Sequence, residues 1–177
     1  MGALKALTER NKSISYFPGW SEPEPESSYT WFNAPLDVAG VTEAGLVLHG
    51  GCLANAPDCN VSFEIAVIGM GGHRRISLAR LCWRSLRGGH TNPRTHGPEV
   101  LRGLRVGPTH YHSFTANWIA AERRMRGRNL PFAEDVNEVL ETFEAARDLA
   151  GALLRISNIG VVMRPEWEYD LFHGSAR

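Results

Sequence analysis

From Tyr29 to about Thr115 apolar side chains recur at every second residue, and after Pro131 they recur at every third or fourth. This change of period restricts the fold more than any other feature. A repeat of two gives a strand one buried face, whereas a repeat near 3.6 lays an apolar stripe along a helix. Val61, Phe63, Ile65 and Val67 show the first pattern. Phe132, Val136, Val139, Leu140, Phe143, Ala146 and Leu153 show the second, with Glu134, Glu138, Glu141 and Glu144 mostly off the stripe. Strands are therefore expected over 30–36, 46–52, 61–68, 75–84 and 109–115, with Gly69-Met70-Gly71-Gly72 as a hairpin connection. One helix is expected over 132–154, entered through Asn129 and Pro131. The expected class is α+β: a mainly antiparallel sheet of about five strands packed against one long C-terminal amphipathic helix.

The flanks are less regular. Residues 2–12 suit a short helix anchored by Leu4 and Leu7, followed by Pro18, Gly19, Pro23 and Pro25 interleaved with Glu22, Glu24 and Glu26. The expected division is an arm or linker over 1–28 and a single α+β domain over 29–177. Residues 85–108 hold so many glycines and prolines that a long loop is expected there, and long loops are functional or disordered. The tail over 161–172 alternates Trp167, Tyr169 and Leu171 against Glu166, Glu168 and Asp170, which suits a late strand or a docking arm.

Composition bounds the function. With 43% hydrophobic and 21% charged residues, the 177-residue chain is globular rather than disordered. Three cysteines, Cys52, Cys59 and Cys82, imply no disulfide framework and suit a reducing compartment. The first ten residues lack the apolar run of a signal peptide, and no stretch approaches the ~18 apolar residues of a membrane span. A cytoplasmic address with no membrane partner is expected.

The zero formal net charge conceals three blocks. Residues 1–72 carry −5, residues 73–128 carry +10, and residues 129–177 carry −5. Every base of the middle block is arginine, and five of the seven histidines lie there. Guanidinium groups fork onto phosphates and stack on bases, so RNA or single-stranded DNA is one expected partner. A cognate protein partner fits the same charge, and so does a basic sheet that pairs with its own acidic helix.

His110-Tyr111-His112 is the sharpest local signal, since residues two apart on a strand share a face. Two imidazoles there can serve as base and acid around a phosphate, or hold a divalent metal at His110 and His112. A cupin-like metal site would need an acidic residue soon afterwards, and 113–121 has none; His90 or His96 could complete a set. His90-Thr91-Asn92-Pro93 lies in the breaker-rich loop, either as turn chemistry or as a loop carrying a catalytic imidazole. Arg80 and Arg84 reach the same place if 75–84 neighbours 109–115, and arginine stabilises a developing dianion. On strand 75–84, Ala79, Leu81 and Trp83 should share one face, and Ile76, Leu78, Arg80, Cys82 and Arg84 the other. The cysteines match no common zinc spacing, and neither a phosphate-binding glycine loop nor a nucleophile elbow is present.

Arg80-Leu81, His90-x-Asn92-Pro93, His110-x-His112-x-Phe114, the expected acidic helix from Phe132 and a closing Asn158-Ile159 together resemble a small bacterial and phage-associated domain family of unknown function, over roughly Ile76 to Ile159. The resemblance implies mobile-element or conflict biology and supplies no activity. The leading expectation is an anion-directed, nucleic-acid-binding protein of toxin, defence or mobile-element type, with a phosphodiesterase or ribonuclease site. That site would comprise His110, His112, His90, Arg80 and Arg84. The alternatives are a non-catalytic module for a protein partner and a cupin-like histidine metal-binding domain.

Overall fold

The alternating stretch at 61–68 forms the middle strand of a seven-stranded sheet. The computed structural model describes residues 3–56, 58–69, 75–122, 125 and 127–167. Across the sheet run β1 (Lys12–Ile14), β2 (Tyr29–Val38), β3 (Val41–Leu53), β4 (Val61–Ile68), β5 (Arg75–Trp83), β8 (His110–His112) and β9 (Glu134–Asp135). Each neighbouring pair is antiparallel. Strands β6 (His90–Thr91) and β7 (Arg105–Val106) form a separate two-stranded ribbon. The helices are α1 (Ala3–Glu9), α2 (Phe114–Ala120) and α3 (Phe143–Leu154). None is long and apolar enough to cross a membrane among the described residues.

One sheet face is the core. Phe32, Leu48, Phe63, Leu81 and Trp83 bury against α3, whose Phe143 ring lies 5.7 Å from Phe63 and 5.9 Å from Trp167. Burying each such aromatic contributes about 2–3 kcal/mol. Gly50 of β3 faces this layer because a Cβ there would meet the Phe32 ring.

The class is α+β with a mostly antiparallel sheet, as expected, but the single long C-terminal helix is not present. Helix α3 begins only at Phe143, capped by the Thr142 hydroxyl, which accepts from the Ala145 N–H at 3.2 Å. Residues 132–135 are extended instead, because two buried asparagine amides capture their backbone and β9 then pairs with β8. The apolar residues of that stretch mimic a helical stripe while filling separate sites.

Three further expectations shift. The strand predicted over 109–115 stops at His112, and Ser113 caps α2, so Phe114 leaves the histidine face for the core. Residues 85–108 hold β6, β7 and a 3-10 turn at Glu99–Leu101 rather than a long irregular loop. Within the stretch read as an arm, α1 packs Leu7 into the core and β1 pairs with β2, while Phe17 and Trp20 sit edge-on to Phe32. Of the tail, Trp167 is buried, and residues 168–172 lie outside the described residues, as do 70–72 of the predicted hairpin turn.

Candidate functional site

The second face of the sheet is polar. Register carries one row across five strands as Asn33, His49, Glu64, Arg80 and His112, and the next as Trp31, Gly51, Ser62, Cys82 and His110. An irregularity between Ile65 and Ala66 shifts the β4–β5 register. The face predicted to run from Ile76 to Arg84 is broken there: Ile76 and Leu78 enter the core, while Arg75 and Ser77 bond the Glu64 carboxylate from the polar side.

At one end of these rows three imidazoles converge. The ring centroids of His110 and His112 lie 5.0 Å apart, and His90 lies 5.9 Å and 5.1 Å from them. Each ring has one nitrogen committed to a backbone carbonyl, which only accepts. His90 Nε2–H donates to Pro131 O at 2.7 Å, His110 Nδ1–H to Gly107 O at 2.8 Å, and His112 Nδ1–H to Phe132 O at 3.1 Å. These bonds fix the tautomers and leave a lone pair on His90 Nδ1, His110 Nε2 and His112 Nε2.

The segment that carries the Pro131 and Phe132 carbonyls is held by amide clamps on Phe132 and Ala133. Asn117 accepts from Phe132 N–H at 2.9 Å and donates to Phe132 O at 2.8 Å, and Asn92 does the same for Ala133 at 2.8 Å and 2.9 Å. Replacing Asn117 with alanine leaves both Phe132 groups without those partners and is expected to destabilise the fold by about 2 kcal/mol, read as a lowered thermal midpoint. An unchanged midpoint would show that the clamp holds nothing.

Arg80 lies between the cluster and the rest of the polar face. Its Nη2–H donates to His112 Nε2 at 3.4 Å, its Nη1 lies 3.6 Å from Glu64 Oε2, and its buried Nε has no acceptor among the described residues. Burial pushes the His112 imidazole down to about 2, reinforced by the Arg80 guanidinium. Burial also lowers His110, opposed by its bond to Gly107. Both are therefore neutral at physiological pH. Cys82, opposite His110, has its thiol raised by burial and pulled back by Arg80. Cys82, His110 and His112 each bring one ligand atom within 4.8 Å of the other two.

Of the predicted site residues, His90, His110, His112 and Arg80 come together, and Arg84 does not. A positive φ of 48° at Arg84 breaks the strand alternation. Its guanidinium stacks 4.7 Å from the Trp83 ring and donates to Leu140 O and Glu141 O on the core side. His96 sits apart, exposed beside Thr95. The sequence reading missed Cys82 as a member of the cluster, although it lies two residues from Arg80 on one strand. It also missed Glu64 and Asn117, whose types carry no signal until their partners are known.

At the other end of the rows a groove of about 610 Å³ opens over β2–β5, lined by Tyr29, Trp31, Asn33 and His49, by the acids Glu24 and Glu64, and by Arg75, Arg80 and Arg128. His49 Nδ1–H donates to Asn33 Oδ1 at 3.0 Å, and burial, reinforced by Arg75, lowers His49 to about 4. Gly51 has no side chain where the Tyr29 hydroxyl crosses the sheet. Comparison of the chain with protein-family models, curated proteins and solved structures returned no match.

Proposed function

We propose that this chain binds RNA or single-stranded DNA, seating a nucleotide unit in the groove of the polar face. The observation that carries the reading is the half-exposed Trp31, with Tyr29 beside it, on the same face as Arg80 and Arg128. Bases stack on exposed aromatic rings whatever their sequence, and arginines track the phosphates. Glu64 does not oppose this, because Arg75 and Ser77 already bond its carboxylate. Arg87, Arg94 and Arg105 are exposed, whereas Arg84 and Arg102 are committed to carbonyls. His73, Arg74, Arg123, Arg124 and Arg126 lie outside the described residues.

A labelled uridine or thymidine oligonucleotide titrated at several salt concentrations tests this. Affinity is expected to fall steeply with salt as counterions are released. Trp31→Ala should weaken binding about ten- to a hundredfold, the range of one lost stacking contact. Arg128→Ala should flatten the logarithmic salt slope by about 0.7, one phosphate contact on a single strand. No binding of either oligonucleotide at low salt, or full affinity in Trp31→Ala, would overturn the reading and favour a protein partner.

Hydrolysis of the bound strand is a second reading, favoured by the contact of Arg80 with both groove and cluster. His110 and His112 are only 4% and 1% exposed, which leaves Arg80 and His90 as the members nearest the surface. Cleavage of the same oligonucleotide that disappears in His90→Ala would support it; an intact strand after long incubation would leave binding alone.

A further inference from the structure

We propose that Cys82, His110 and His112 form a transition-metal site of the zinc class. The site is distinct from the nucleotide groove and stands whether or not the groove binds nucleic acid. Three observations carry it, each independent of the others.

The first is placement by register. Cys82 faces His110 directly across the β5–β8 pair, and His112 lies two residues along on the same face. Antiparallel pairing thus presents a thiol and two imidazoles to one small volume, with one ligand atom from each within 4.8 Å of the others. Zinc–sulfur and zinc–nitrogen bonds of about 2.3 and 2.0–2.1 Å require donors about 3.3–3.8 Å apart in a tetrahedron. Each pair therefore closes by at most about an ångström and a half, within side-chain torsion.

The second is orientation. Metal-bound imidazoles donate their remaining N–H to a carbonyl or carboxylate, which fixes the tautomer and aims the lone pair. His110 and His112 make that bond to Gly107 O and Phe132 O, and His90 makes it to Pro131 O. The Asn117 and Asn92 clamps then hold Phe132 and Ala133, so the carbonyls beneath two of the three rings come from one rigid segment.

The third is donor chemistry. A thiolate with imidazoles selects zinc and its borderline neighbours and rejects magnesium and calcium, which take oxygen. No carboxylate belongs to the group. A metal on His112 Nε2 displaces only the 3.4 Å Arg80 bond, after which Arg80 keeps Glu64. Burial of His110 and His112 suits a structural centre that ties β5 to β8.

The test uses the full chain, stripped with a chelator and titrated with cobalt(II). One equivalent should give visible ligand-field bands of tetrahedral cobalt with a near-ultraviolet thiolate charge-transfer band, and zinc should bleach both. Cys82→Ser should lose the charge-transfer band, while Cys59→Ser keeps it. His110→Asn should weaken cobalt affinity more than about a hundredfold, beyond the loss seen when only an orienting partner is removed. If Cys82→Ser does not fold, by circular dichroism, the wild-type chain still decides: one equivalent of zinc should protect Cys82 from alkylation, read by peptide mass. A cobalt spectrum that stays that of the hydrated ion, a charge-transfer band surviving Cys82→Ser, or Cys82 alkylated equally with and without zinc would overturn the site.

Discussion

Metal-free protein is expected to lose stability steeply as pH falls from about 6.5 to 5. His49 and His112 are held neutral by burial, down to about 4 and about 2, with His110 lowered as well. In the unfolded chain the same imidazoles protonate near 6.5, so below that pH the unfolded state binds more protons. A lowered imidazole contributes fully above the unfolded value and loses its contribution as pH drops toward the folded one. Each imidazole held neutral gives a slope that rises to about 1.4 kcal/mol per pH unit as the unfolded chain becomes fully protonated, or about 1.6 kcal/mol in all across that window. His49 and His112 together therefore remove about 3 kcal/mol over one and a half units, a large part of the 5–15 kcal/mol typical of a domain. Urea unfolding at pH 7.5, 6 and 5 measures this, and His112→Asn should remove one share of the slope. A stability unchanged between pH 7.5 and 5 would show that the imidazoles are not held neutral.

Glu64→Gln is expected to be the most damaging isosteric change on the polar face. The Glu64 carboxylate, 6% exposed, accepts from Arg75 Nη2 at 2.7 Å and from Ser77 at 2.7 Å, and it lies 3.6 Å from Arg80. Glutamine keeps the shape and a carbonyl acceptor but removes the negative charge that the largely buried Arg75 and Arg80 guanidinium groups both face. Leaving a buried charge uncompensated costs about 3–5 kcal/mol. For a chain of this size that corresponds to a midpoint lowered by about 8–16 °C. Because Arg80 depends on Glu64 for its position, the groove should weaken for nucleotides at the same time. A melting curve matching wild type would show that Arg75 and Arg80 are satisfied without the carboxylate.

The sheet was readable because its periodicity is enforced by one buried face, as at Val61, Phe63, Ile65 and Val67. The polar face was half readable. His110 and His112 announced themselves by spacing, and His90 by its motif, but what unites them is strand order, which pairs β5 with β8 across 26 intervening residues. Arg84 misled because alternation holds only while φ stays extended, and its positive φ reverses the side chain. The long helix misled for a different reason. Phe132 and Val136 have helical spacing, yet Asn92 and Asn117 act on the backbone, and an amide clamp leaves no periodic trace. Glu64 and Cys82 were invisible as partners, since a single acid or thiol gains meaning only from neighbours brought by register.

The edge of the sheet at β1 is closed by the far end of the fold. Lys12 N–H donates to Arg155 O at 2.8 Å, Ser157 N–H to Lys12 O at 2.9 Å, and Ile14 N–H to the Asn158 side chain at 2.7 Å. Lys12 and Ile156 form a parallel bridge there. During synthesis, β1 is thus left without its outer partner until Asn158, 144 residues beyond Ile14, has emerged from the ribosome. Contacts this distant in sequence form late, because closing the intervening loop must precede any gain from the contact. The nascent chain therefore carries an open strand edge over that whole interval, and the three-residue length of β1 limits how far another chain can pair along it.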